Sequence, residues 1–134
     1  MNYWLLKTEP STFSWHDLSE KKKAVWDGVR NFQARKHLKG MKKGDKAFIY
    51  HTGDEKAIIG VSTVTREGYP EPKDAAWTAV DLVPDKPLKN PVTLARIRED
   101  KKLQKMVLAR APRLSVQPVT REEYEWIMEL SSKS

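Results

Sequence analysis

Lys46-Ala47-Phe48-Ile49-Tyr50-His51 is followed by Thr52-Gly53-Asp54-Glu55-Lys56 and then by Ala57-Ile58-Ile59-Gly60-Val61-Ser62-Thr63-Val64-Thr65-Arg66. Two runs rich in β-branched and aromatic residues flank a short polar segment containing glycine, the pattern of a hairpin. A connection this short forces antiparallel pairing, because parallel strands need a crossover of a dozen or more residues. Gly60 inside the second run predicts a bulge or a close backbone approach.

Working outward, Tyr3–Lys7 reads as a first strand ended by Glu9-Pro10-Ser11, and Ser14 with Asp17 makes a capping-box pattern for a short helix from Trp15 to Ser19. Ala24-Val25-Trp26 is a short apolar run before an Asp27-Gly28 turn. Asn31 is a good N-cap for a helix Phe32–Lys39 closed by Gly40, with Ala34 and Leu38 turned inward and Phe32 as an inward anchor. Tyr69-Pro70-Glu71-Pro72 is expected to be a loop, Trp77–Val83 a strand, and Pro84, Pro87 and Pro91 a punctuated connection. Thr93 caps a helix to Arg98, a second helix is expected from Lys102 to Ala109 with Asp100 as its cap, and Leu114–Val119 is a last strand. Thr120-Arg121-Glu122-Glu123 opens a helix to Leu130 with Tyr124, Ile127 and Met128 inside. Five or so strands with helices between and after them fit an α+β, barrel-like domain better than a βαβ sheet.

With 134 residues the chain has the length of one domain, residues 1–134. No run approaches the roughly 18 apolar residues of a membrane span, and Met1–Lys7 reads as a strand, not a signal peptide. With no cysteine there is neither a disulfide framework nor a thiolate metal site, and an intracellular setting (cytoplasmic, nucleoid or nuclear) is expected. The net charge of +7 is confined to residues 20–46, which hold ten cations and three acids; the fifteen cations and fifteen acids elsewhere cancel. Such a local positive field suits a polyanion. A solvated Lys-rich helix face is the plainer alternative.

His16, His37 and His51 have no metal-ligand spacing, and GxSxG, Walker A and GxGxxG patterns are absent. The paired acids Asp54-Glu55, Glu99-Asp100 and Glu122-Glu123 sit at turns or helix starts, where carboxylates have structural work. Neither a catalytic residue, nor a metal, nor a cofactor is assigned. Of the five tryptophans, Trp4 and Trp126 read as core. Trp26 lies in a polar, glycine-containing turn within the basic segment, where its ring can meet a base, and its replacement by Ala is expected to spare the fold. Asn31 could contact a base edge, although local sequence favours capping.

Tyr3-Trp4-Leu5-Leu6-Lys7-Thr8-Glu9-Pro10 followed by Trp26-Asp27-Gly28-Val29-Arg30-Asn31-Phe32-Gln33-Ala34-Arg35 closely resembles the EVE domain family, over nearly the whole chain. The resemblance implies a PUA-like fold: a small mixed β-barrel of about five to six strands with flanking helices. It also implies a pocket related to that of YTH domains, and a non-enzymatic reader of modified bases in DNA or RNA. Carried over, Trp26 is a pocket wall and Asn31 a polar contact, with Lys7, Thr8, Trp15, Tyr50 and His51 lining the same cavity. Trp15, Tyr50, Tyr69 and Trp77 compete for the second aromatic wall. Arg30, Arg35, Lys36 and Lys39 form the expected basic face toward phosphate. Three other readings stand beside this one: a general RNA-binding module, a nucleoside-processing enzyme on the same barrel, and a protein-binding domain with an acidic partner.

Overall fold

In a computed structural model, which describes residues 1–133, the hairpin forms as its sequence requires. Strand β3 (Lys46–His51) pairs antiparallel with β4 (Ala57–Pro70) around a loop in which Gly53 has φ 78°. The register shifts beside Gly60, and a Cβ built there would stand 2.6 Å from the ring carbons of Trp15. The glycine therefore serves both expectations: the strand is irregular, and an indole lies directly on its backbone.

The remaining elements are β1 (Tyr3–Thr8), α1 (Trp15–Lys21), β2 (Ala24–Trp26), α2 (Phe32–Gly40), β5 (Thr78–Thr93), α3 (Leu94–Glu99), α4 (Val107–Arg110), β6 (Val116–Val119) and α5 (Arg121–Ser132). They build one six-stranded sheet in the order β2-β5-β4-β3-β1-β6. Only β1 and β3 run parallel, joined by the long α1–β2–α2 crossover. Side chains alternate between the two faces. Trp4, Leu6, Ala47 and Ile49 join one buried cluster with Trp15 and Leu18 of α1 and Ala34 and Leu38 of α2. Leu5, Phe48 and Tyr50 join the other with Ile97, Leu108, Ile127 and Leu130 from α3, α4 and α5. Both faces are covered, which is why β1 and β3 read as continuous apolar runs and not as alternation.

The local capping signals form as expected: Ser14 with Asp17, Asn31 to Ala34, Thr93 to Arg96 and Thr120 with Glu123. Several expectations are corrected. The sheet is not a closed barrel; β2 and β6 are its two edges, and α2 packs against β6, β4 and β5 where closure would otherwise occur. Tyr69-Pro70 and the segment holding Pro84, Pro87 and Pro91 are strand. β2 covers only Val80–Leu82, so the outer edge of β5 is unpaired where the prolines lie, and the missing N–H groups cost nothing there. The expected helix Lys102–Ala109 shrinks to α4. Before it, the amides of Leu103 and Met106 bond back three residues, winding too tightly for an α-helix and aiming both side chains inward together. Gly40 is the last helical residue, not a cap beyond it, and a Cβ built there would stand 3.4 Å from the Trp4 ring. Trp126 is half-buried, donating to Asp100 Oδ2 at 2.8 Å beneath the Lys102 ammonium. Phe32 faces outward.

Candidate nucleic-acid interface

Trp26 closes β2, paired with Val80, and the chain then turns at Asp27-Gly28 with Gly28 at φ 79°. A buried carboxylate fixes that turn. Glu71 accepts from Gly28 N at 3.1 Å and from both terminal nitrogens of Arg30 at 2.9 and 2.7 Å, while its own side chain is almost wholly shielded from solvent. The two parallel guanidinium bonds are the strong, geometrically fixed kind. The Arg30 hydrogen bonds, aided by the Gly28 amide, outweigh burial and hold the Glu71 carboxyl down at about 2. A depressed carboxylate contributes stability that is complete above its ordinary pKa and lost as pH falls through the folded value. Glu71→Gln is therefore expected to lower the melting temperature at pH 7 by a few degrees. The two melting curves should converge as pH falls from 4.5 toward 2. A constant gap across that range would show that the charge of Glu71 does not hold the turn.

Beside the turn opens a cleft of about 690 Å³. Its walls come from Lys7 and Thr8 at the end of β1, Thr12 and Phe13 in the following turn, Lys21 at the end of α1, Lys23 after it, Val25 to Arg30, and Ser115 before β6. Trp26 and Phe13 meet edge to face, centroids 5.9 Å apart at 77°. Trp26 is 9% exposed, so it is a wall of the cleft and a member of the core at once. The Phe13 turn is held by its amide on Glu9 O at 2.9 Å and by Thr8 Oγ1 donating to Phe13 O at 2.6 Å. Lys21 Nζ sits 5.3 Å from the Phe13 ring. Lys7 donates to Pro112 O, and burial lowers its pKa. Cations thus ring an aromatic corner.

The structure brings Lys7, Thr8, Trp26 and Arg30 into this one cleft. It separates others. Tyr50 lines a second cavity of about 630 Å³ on the far side of Lys7, whose ammonium is 5.6 Å from its ring. Asn31 borders a third, smaller concavity and spends Oδ1 on Ala34 N at 2.9 Å. Trp15 is not a cavity wall: it is buried on Gly60, and its amide donates to His51 Nε2 at 3.0 Å. With Nε2 accepting, the proton of buried His51 lies on Nδ1, which donates to Glu55 Oε1 at 2.9 Å; both nitrogens have structural partners. Of the basic face, Lys36 and Lys39 are exposed, Arg35 donates to Ala76 O at 2.7 Å, and Arg30 is matched by Glu71. Among the described residues no three His, Asp or Glu side chains are grouped as a metal site, and no helix is long and apolar enough to cross a membrane. Phe13 and Glu71 are additions that the sequence does not announce: Phe13 has no local signal, and Glu71 sits between prolines in an apparent loop.

An open mixed sheet of this order, helices on both faces and a cleft at the β2–α2 turn, defines a PUA-like α+β domain. The EVE domain model matches residues 2–130, and the chain belongs to the EVE domain family. A Rhodopseudomonas palustris protein solved by NMR is 44% identical, with a TM-score of 0.93 over 98% of this chain and 93% of that one. Human THYN1, solved in complex with DNA containing 5-methylcytosine, is 31% identical with a TM-score of 0.92 over 100% and 99%. Mouse thymocyte nuclear protein 1 is 33% identical over 96% of this chain and 73% of its own length.

Proposed function

We propose that this protein binds DNA carrying a modified base, taking the base out of its stack and holding it in the cleft without transforming it. The observation that carries this reading is the aromatic corner of Trp26 and Phe13 ringed by Lys7, Lys21 and Lys23 around a volume suited to a nucleotide-sized ligand. The human relative crystallised on 5-methylcytosine DNA supports the choice of DNA and of a modified base. Binding without chemistry agrees with how the cleft's polar groups are spent. The Thr8 hydroxyl bonds Phe13 O, Arg30 bonds Glu71, and Lys7 bonds Pro112 O, so each positions the walls. Extrusion from a duplex costs a few kcal/mol, which stacking and phosphate contacts offset. Asn31 stands outside the cleft, beside a neighbouring concavity, and with Oδ1 spent on Ala34 N its amide nitrogen is the group it can offer to the strand.

The test is a panel of DNA and RNA oligonucleotides, with and without methylated or hydroxymethylated bases, at two salt concentrations. A methyl group in a fitted slot gives roughly 10- to 200-fold discrimination at most. Modified DNA should bind tighter by a factor in or below that range. Equal, salt-sensitive affinity for every strand would instead make the domain a general nucleic-acid module. In the same panel, replacing Lys36 and Lys39 together by Gln should weaken modified and plain strands alike. It should also flatten the salt slope by about 0.7–0.9 for each phosphate no longer neutralised. An unchanged slope would make α2 a solvated face only.

A further inference from the structure

Two residues beyond Arg30 the chain leaves an aromatic ring at the surface. Phe32 is 69% exposed, yet its ring is ordered: it stacks on Trp77 with centroids 5.3 Å apart at 25°. Arg35 lies over both rings, at 5.0 Å from Phe32 and 5.3 Å from Trp77, pinned by its bond to Ala76 O. Arg30 approaches Trp77 at 5.3 Å while also lining the cleft. One face of Phe32 is thus occupied by Trp77, Arg35 stands about equally far from both centroids and so flanks that stack, and the exposed remainder of the Phe32 ring is left to solvent.

We propose that the exposed remainder of the Phe32 ring is a second stacking site, taking an unmodified nucleobase of the same DNA strand that places its modified base in the cleft. The proposal rests on the reading of the cleft as a base site. Reach favours the neighbouring base. Two residues of chain span at most ~7 Å, and successive nucleotides of a strand rise ~3.4 Å, so the base concerned lies about one to three nucleotides from the captured one. Chemistry favours a base over an apolar peptide. Guanidinium groups around the stack suit a π-face next to phosphate, and Lys36, exposed on the same helix, extends the positive field. A stacking platform accepts any base, so this site adds affinity without reading sequence.

The experiment uses a DNA strand with one 5-methylcytosine and an abasic residue walked through the three positions on either side. Binding is measured for the wild type, Phe32→Ala, Phe32→Leu, Phe32→Trp and, as a separate reading of the cleft, Trp26→Leu. Folding of each variant is checked by melting. Wild type should lose about five- to tenfold when the abasic residue occupies one particular flanking position. Phe32→Ala and Phe32→Leu should show that same loss on the intact strand and no further loss at that position, whereas Phe32→Trp should bind as wild type. Wild-type affinity of Phe32→Ala for every strand overturns the proposal and leaves the ring to a protein contact. So does a loss that is equal at all positions, or one that Phe32→Leu avoids. If Trp26→Leu keeps its preference for the modified strand while Phe32→Ala behaves as expected, the stacking site stands and the cleft reading fails. A wild type that binds no strand overturns both.

Discussion

Trp26→Ala is expected to lower stability by about 3–5 kcal/mol and to abolish base-dependent affinity in the same step. The sequence view, in which the indole stands free in a polar turn, anticipates only the second effect. In the fold the ring is nine-tenths buried and packed against Phe13, so its removal opens a hole in the sheet's covered face. A domain of this size has roughly 5–15 kcal/mol to lose, so the variant should remain folded at low temperature but melt on the order of 10–20 °C earlier. Trp26→Leu separates the two roles. Leucine refills much of the volume, so most of the stability should return, but it offers no π-face, and affinity should stay down by about 5- to 150-fold, the equivalent of ~1–3 kcal/mol for one stacked base. If Trp26→Leu binds and discriminates like the wild type, the residue is core alone and the cleft has no aromatic reader.

Gly60→Ala should be among the most damaging single-methyl changes available in this chain. The backbone angles at Gly60 are ordinary, so the effect is one of space: the new Cβ would lie 2.6–2.7 Å from three ring carbons of Trp15. The clash is with the rigid body of an indole, not with the end of a flexible chain. Relief requires Trp15 to lift off β4, which strains its amide bond to His51 and through it the contact with Glu55. Overpacking of this kind costs about 1–3 kcal/mol, and Gly60→Val should exceed it. The pairing of Gly60→Ala with Trp15→Leu supplies the decisive comparison by thermal melting. The double variant should be more stable than the sum of the two single losses predicts, because the smaller side chain makes room. Strict additivity, or a Gly60→Ala variant as stable as the wild type, would mean that the indole does not rest on the strand.

What is legible in the chain is what neighbouring residues decide among themselves. Ser14 with Asp17, Thr120 with Glu123, Asn31 and Thr93 each satisfy an amide three positions away, and each forms the cap its sequence implies. The hairpin belongs to the same class, and Gly60 announces an irregularity of its strand without naming Trp15 as the neighbour that lies on it. The misreadings share another cause. Prolines in β5 look like breaks because only the three-dimensional sheet reveals which edge of that strand lacks a partner. Phe32 looks like an anchor because helix periodicity names a face but not the neighbour that covers it; Trp77, 45 positions later, holds it at the surface. In the site, Lys7, Thr8 and Trp26 line one cleft, which Arg30, expected on the basic face, also borders, whereas Trp15 and His51 turn to each other. Phe13 and Glu71 cannot be found locally: one owes its place to a turn held by Glu9 and Thr8, the other to a guanidinium 41 positions away.

The position of β1 between β3 and β6 also sets a timetable. Tyr3 faces Val119, and the amide of Lys7 bonds Ser115 O at 2.9 Å, so the first of the six strands is completed by the last of them. At ~5–20 residues per second of synthesis, the free edge of β1 waits on the order of 5–25 s for its partner. Throughout that interval an apolar strand edge is open to pairing with other chains. Ser115 is also a wall of the cleft, so one side of it stays open until this last strand is in place. The cleft therefore closes only when the chain is nearly complete, and until then the basic segment has only its charge to present.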